Sequence, residues 1–492
     1  MTRSLLLALF MALSLGLTGC LSDDGDDDVV ELAPDDGSDG GSDDGGSDDG
    51  DGSDGDTAPS TYEFESSFEA GESSVSYQGQ ICRQVLIIAL KNAVEDATEI
   101  AKADYRSAGG NDGSAVPYFD DTIAGTALAD ASTQNILGLD LPVPEAHDTL
   151  GELCGTKFLK GKFAGNDTVT DWKDWNTEFQ GVAGFSNAES YLRELLKQAS
   201  ELAESGASPA DAPHYVSGDG LDYSQLIQKF VTMAVAFAQG TDDYLSDDVD
   251  GKGLNAAFEK DGDSAYAKME HQWDEGYGYF GAARAYNDRS DEVNRSGVVD
   301  DNNDGFIDLN SEHNFAASTN AAKRDVGSTV QTDLSGDAFD NLIAGRHFIS
   351  TTQKSFADMS AAEQAELLGY RDAAVQAWEK AYAATVVHYI NDTLADMDDI
   401  GTPDFDIANI AKHFSEMKGF ALGLQFNPDS PLNDLFDGSK TRFERLHELL
   451  RDKPPCTAGV CTNEAAYRND LLTARDLLGT AYGFAQSNLE NW

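Results

Sequence analysis

The sequence predicts an all-α fold: a multi-helix bundle with a long calcium-type loop inserted into it. Three observations lead there. After about residue 61, apolar residues recur at three- and four-residue steps over most of the chain, the period of a helix with one buried face. Strand-like alternation is confined to a short stretch near 61–77, as in Tyr62-Glu63-Phe64. Two Asp- and Gly-rich stretches, 241–263 and 287–335, interrupt the helical pattern. An irregular stretch of that length inside a compact body is often functional.

Taken in order, the chain divides into three parts. Residues 1–20 read as a processing signal, with Arg3 as a positive start and an apolar run from Leu5 to Leu17. That run is too short to span a bilayer as a helix. Residues 21–60 carry sixteen acidic residues and no Lys or Arg, in a background of Gly and Ser. Such a segment cannot bury enough apolar area to offset its ordering entropy, so it is expected to act as a disordered tether. Forty flexible residues reach roughly 35 Å root-mean-square, and self-repulsion extends them.

Residues 61–492 form the helical body, long enough for one large core or for two packed subdomains. From Arg83 to Lys102, Leu86, Leu90, Ala93, Ala97 and Ile100 fall on one face. The same period marks 187–204, 222–239, 264–282, 360–396, 405–424, 440–452 and 463–486. Ser360 followed by Ala361, Ala362 and Glu363 is a capping box at a helix start. Trp273, Tyr277 and Phe280 are most simply core residues, and on a helix Tyr266 falls on their side.

The body carries 72 acids against 32 bases. This excess argues against nucleic acid and against adhesion to anionic lipid. It suits a cation-rich surrounding. No second apolar run reaches spanning length.

The most specific motif is Asp300-Asp301-Asn302-Asn303-Asp304-Gly305-Phe306-Ile307-Asp308. Alternate residues can point oxygens inward, from Asp300, Asn302 and Asp304, with a sharp turn at Gly305. Phe306 then offers a carbonyl and Asp308 a further carboxylate. This resembles an EF-hand-type loop, and it implies calcium. Position twelve is Ser311, and Glu312 stands one residue late as the remaining ligand. A solvated acidic turn has the same composition. Stabilising the loop is the expected role.

A second constellation lies in 269–280. On a helix, His271, Asp274 and Glu275 share a side, and such a set can hold a transition metal such as iron. A polar face, or a buried histidine oriented by an acid, has the same spacing. His388 with Asp392, and His413 with Glu416, offer comparable pairs. Three such helices could converge on one metal, as in carboxylate-bridged bundles, or face three different ways. Zincin, serine-elbow, phosphate-loop and dinucleotide motifs are absent: His447-Glu448 continues as Leu449-Leu450-Arg451.

Two resemblances add to this. Leu17-Thr18-Gly19-Cys20 resembles the lipobox of bacterial lipoproteins, which implies lipidation of Cys20 and anchoring by more than one acyl chain. Leu21 instead of Asp after the cysteine favours, by analogy, the outer membrane of a Gram-negative cell. With Cys20 so used, four cysteines remain. Cys456 and Cys461 suit a local closure, and by elimination Cys82 pairs with Cys154. The stretches 269–281, 413–428 and 74–86 resemble an uncharacterised domain family of exported bacterial lipoproteins. In character that family is similar to imelysin-like proteins, which are helical, exported and associated with iron uptake. Their Gly-x-His-x-x-Glu motif has its nearest counterpart here at Met269-x-His271-x-x-Asp274, which departs at both ends.

The resulting expectation is a membrane-anchored extracytoplasmic binding lipoprotein, with a calcium loop, a metal- or haem-related role and an envelope protein as partner. The alternatives are a metal- or acid/base-dependent hydrolase of peptidase type, and a purely structural surface lipoprotein.

Overall fold

In the computed structural model, residues 58–96, 116–167, 172–457 and 460–492 are described. The signal, Cys20 and nearly all of the tether lie outside them, as does the end of the helix expected from Arg83 to Lys102. Among the described residues the elements are almost all helices, and the one ladder is a two-residue hairpin, Cys456–Thr457 with Val460–Cys461. No helix among them is long and apolar enough to cross a membrane.

The longest helices are α1 (Gln78–Glu95), α2 (Ala188–Ser205), α3 (Tyr223–Thr232), α4 (Lys268–Phe280), α5 (Ala316–Val326), α6 (Leu334–Thr352), α7 (Ala361–Asp398), α8 (Ile407–Gly423), α9 (Arg442–Leu450) and α10 (Glu464–Tyr482). At 38 residues, α7 is the axis of the body. It packs on α6, α8, α5 and α10. α8 packs in turn on α3, and α3 on α1. Its start is chemical as expected: Ser360 Oγ accepts from the Glu363 N–H at 3.3 Å, and Glu363 accepts from the Ser360 N–H at 2.6 Å. Among the described residues one continuous apolar core runs from Tyr62 to Trp492.

Trp273, Tyr277 and Phe280 are fully buried, as expected. Tyr266 is not on their helix, because α4 begins only at Lys268. It stacks instead on His271, with ring centroids 4.5 Å apart. Small residues let α4 approach its neighbours. A Cβ at Gly345 of α6 would meet the Trp273 ring at 2.1 Å, and one at Gly278 would meet Tyr77 at 2.8 Å.

Three expectations change. The expected strand near 61–77 is one isolated bridge, Glu65 to Ser73. The stretch 241–263 begins inside a helix, because α3 continues through wider π-type turns, Met233–Phe237 and Gln239–Tyr244. The stretch 287–335 is largely ordered, holding a short helix at Asp291–Asn294, all of α5 and the start of α6. Both disulfides form as paired from the sequence, Cys82–Cys154 and Cys456–Cys461.

Candidate functional site

The residues expected to hold a transition metal fall into two groups. On α4, His271 Nδ1 lies 2.9 Å from the Ser76 carbonyl, and its Nε2 is 3.9 Å from Glu275. Asp274 turns away from them into the core. Its Oδ1 accepts from Arg346 Nε at 2.7 Å and from the Tyr62 hydroxyl at 2.9 Å, and its Oδ2 accepts from the Ser76 N–H at 3.1 Å. Arg346 also holds Glu270 at 2.9 Å and Ser74 Oγ at 2.8 Å. This buried hub joins α4, α6 and the segment before α1, so Asp274 serves packing. Burial pushes the Asp274 carboxyl up, against the pull of Arg346.

The second group lies between α7 and α8. His413 Nδ1 is 2.8 Å from Asp396, and His388 Nε2 is 3.2 Å from Asp392. Burial opposes charge on His413, but the bond to Asp396 and the charges of Asp396, Asp392 and Glu416 raise its pKa above the usual value. Tyr389 donates to Glu416 Oε1 at 3.0 Å. Ser76, Tyr266 and Glu275, the neighbours of His271, are not among these partners. The contacts of this second group join α7 and α8. Among the described residues, no group of three or more His, Cys, Asp or Glu side chains forms a metal-holding cluster.

In the acidic loop, Asp300 accepts from the N–H groups of Asp304 and Gly305 at 3.2 and 3.0 Å. Asn302 Oδ1 accepts from Asp304 N–H at 2.8 Å, and Asp304 from Phe306 N–H at 2.9 Å. Asp308 accepts from Asn310 N–H at 2.8 Å. Gly305 takes a left-handed φ of 83°, as the turn demands. Glu312, one residue late in sequence, reaches across the loop. Its Oε1 accepts from Asp301 N–H at 3.1 Å and its Oε2 from Asp308 N–H at 2.8 Å. The loop's side-chain oxygens are thus turned onto its own backbone, and Ile307 is buried beneath it.

Sequence reasoning found Glu416 but missed what surrounds it. A cavity of about 320 Å³ opens between α1, α3, α5, α7 and α8. Glu416 lines it, with Lys229 Nζ 3.2 Å from its Oε1. Its Oε2 is buried and has no hydrogen-bond partner. The Thr319 hydroxyl on α5 and Gln225 Oε1 on α3, which also line the cavity, are likewise buried and unpartnered. Each such group costs about 1–3 kcal/mol when left unsatisfied.

Asp222 caps α3 and lies in the same wall. Its Oδ1 accepts from Gln225 N–H at 3.1 Å and from Ser224 Oγ at 2.7 Å. Burial pushes its carboxyl up to about 6, and the nearby charges of Glu95 and Glu416 add to the rise against those hydrogen bonds. Lys91, Lys323 and Lys412 complete the charged lining. The stretch 222–239 was legible as helical, but the cavity beside it was not.

Residues 198–440 match the family described as Domain of unknown function (DUF4856). The middle of the chain, which holds the stretches 269–281 and 413–428, thus matches an uncharacterised domain family. The DUF4856 segment runs from within α2 to just before α9 and contains Asp222, Gln225, Lys229, Thr319, Tyr389 and Glu416. Only the α1 wall of the cavity, with Lys91 and Glu95, lies outside it. No curated protein and no solved structure matches the chain.

Proposed function

We propose that this chain is a lipid-anchored binding protein of the bacterial envelope, attached through Cys20, whose ligand occupies the cavity beside Glu416. The observation that carries the reading is the buried Glu416 carboxylate, satisfied on one oxygen and open on the other, in a cavity at the small end of the ligand-pocket range. That size suits a small polar ligand and not haem.

The test is to denature protein purified without chelator and identify what it releases. A small molecule or metal in near-equal amount to wild-type protein, lost in Glu416→Gln, supports the reading. Nothing released from either, with no ligand regained from periplasmic extract, sinks it.

Two cation roles belong to the same proposal. Calcium stabilises the 300–312 loop, through Asp300, Asn302, Asp304, the Phe306 carbonyl, Asp308 and Glu312, once their oxygens exchange backbone N–H groups for the ion. Chelator should then lower the melting temperature, and Asp300→Ala with Asp304→Ala should abolish the difference; an unchanged wild-type melt would remove calcium from the account. A transition metal, if it is the ligand, falls to Glu416 and His413, whose Nδ1 is held by Asp396 in the manner of a supported metal-binding imidazole.

A further inference from the structure

We infer that the cavity wall carries an exchangeable proton, shared by Asp222 and Glu95 through the Ser224 hydroxyl, whose loss changes the affinity for a charged ligand. The ligand coupling rests on the reading of the cavity as a ligand site; the shared proton does not. Asp222 and Glu95 both line the cavity. Ser224 Oγ lies 2.7 Å from Asp222 Oδ1 and 2.9 Å from Glu95 Oε1. Ser224 is fully buried, and its hydroxyl has one hydrogen to give. An ionised carboxylate only accepts, so two ionised carboxylates would leave one of these two contacts without a hydrogen. One added proton completes the chain: one carboxyl donates to Ser224 Oγ, and Ser224 donates to the other.

The proton belongs on Asp222. The Glu95 side chain is 25% exposed, and Lys91 Nζ stands 2.8 Å from its Oε1, which favours the ionised form. Asp222 is 5% exposed, and the charges it feels most are both negative, those of Glu95 and Glu416. Its Oδ1 also accepts from the Gln225 N–H at 3.1 Å, which an un-ionised carboxyl can still do while donating to Ser224. Around the cavity, α8 also brings Lys412, α3 brings Lys229 and α5 brings Lys323, while Tyr215 and Tyr389 add hydroxyls. Glu194 and Glu201 of α2 act on Tyr223, the next residue, and Asp219 is paired with Lys453. With Asp222 pushed up to about 6, the proton leaves just below neutrality and the wall gains one negative charge. A cation is then held more tightly above the transition, and an anion below it. Glu416 is 3% exposed, with an unpartnered Oε2, and its charge already acts on Asp222. A charged group bound at Glu416 therefore feels the change.

Infrared spectroscopy of the purified full chain reads the proton directly, through the carbonyl band of an un-ionised carboxylic acid. At about pH 5 wild type should show one such band that Asp222→Asn lacks, and by about pH 8 the difference should be gone. Ser224→Ala separates sharing from burial alone. In the shared chain the hydroxyl makes two hydrogen bonds when the proton is present and one when it is absent. Its removal costs the protonated state more, and should lower the proton affinity of Asp222 about threefold to tenfold. If Ser224 served only as a donor to ionised Asp222, its removal would raise that affinity. A rise therefore overturns the sharing, and no band lost in Asp222→Asn at about pH 5 overturns the proton site. For the coupling, the chain as purified is dialysed at about pH 5 and about pH 8 and then denatured. Wild type should release unequal amounts of ligand and Asp222→Asn equal ones. Equal release from wild type overturns the coupling and leaves the proton. Nothing released at either pH overturns the cavity reading and the coupling with it, while the infrared result still decides the proton.

Discussion

Arg346→Met removes the cation that pairs with two buried carboxylates, Glu270 and Asp274, at 1% and 0% side-chain exposure. Removing one partner of a buried ion pair typically costs about 3–5 kcal/mol, because the other charge is left uncompensated. Here the Tyr62 hydroxyl and the Ser76 N–H still solvate Asp274, and Ser350 still donates to Glu270. The expected loss is therefore about 3 kcal/mol, the low end of that range. Urea denaturation followed by circular dichroism measures it. The deficit should depend on pH in a defined sense. Without Arg346, nothing offsets the burial that already pushes the Asp274 carboxyl up. Its ionisation then opposes folding at neutral pH, and the deficit shrinks as pH falls toward the unfolded carboxylate range. Adding Glu270→Gln and Asp274→Asn to Arg346→Met should recover much of the loss at neutral pH. A single variant that loses under about 1 kcal/mol, or a deficit that is flat with pH, would refute the assignment of this hub as a buried charge network.

Other outcomes follow from particular residues. Removing Cys82–Cys154, which closes a 72-residue separation, should cost about 4 kcal/mol by chain entropy, against about 2 for the five-residue closure of Cys456–Cys461; equal melting losses for the two would contradict this. Asp222, raised to about 6 by burial, destabilises the fold when ionised, a penalty complete above about pH 6 and gone below the unfolded value near 4. Asp222→Asn should accordingly gain about 1–3 kcal/mol at pH 8 and progressively less from pH 6 downward, read from urea midpoints at each pH. Gly345→Ala forces a methyl into the Trp273 ring and should cost about 1–3 kcal/mol, with a shift in tryptophan fluorescence reporting the displaced indole.

Much of the fold was legible because the helices that build its axis have strong local signals. α7 announces itself by the Ser360–Glu363 box and a long apolar period. α8 and α10 show the same kind of apolar period. α6 was missed because its buried face is interrupted by Gly345 and by Arg346, a charge whose partners lie on α4 and stay invisible until the two helices pack. α5 was missed because its run of Ala, Ser, Thr and Asn has small residues where a longer apolar stripe would be expected. The π-type turns after α3 escaped for a different reason. They add a residue per turn without changing composition, so Asp242 and Asp243 read as loop acids while the fold buries both.

The site was legible only in part. A single sequence fixes which residues share a helix face but not how that face is rotated toward another helix. His271, His388 and His413 therefore had equal standing, and packing separated the first from the others. Glu416 was singled out by its spacing from His413, yet its role comes from Lys229, Tyr389 and Thr319 on three other helices. Only the tertiary arrangement brings them to one cavity.

The most direct measurement is a high-resolution crystal structure of the full chain purified without chelator or exchange. The account predicts ordered non-water density in the α1/α3/α8 cavity, with a donor atom within hydrogen-bonding distance of Glu416 Oε2. A cavity holding only water, with Glu416 Oε2 satisfied by that water or by the chain itself, would contradict it.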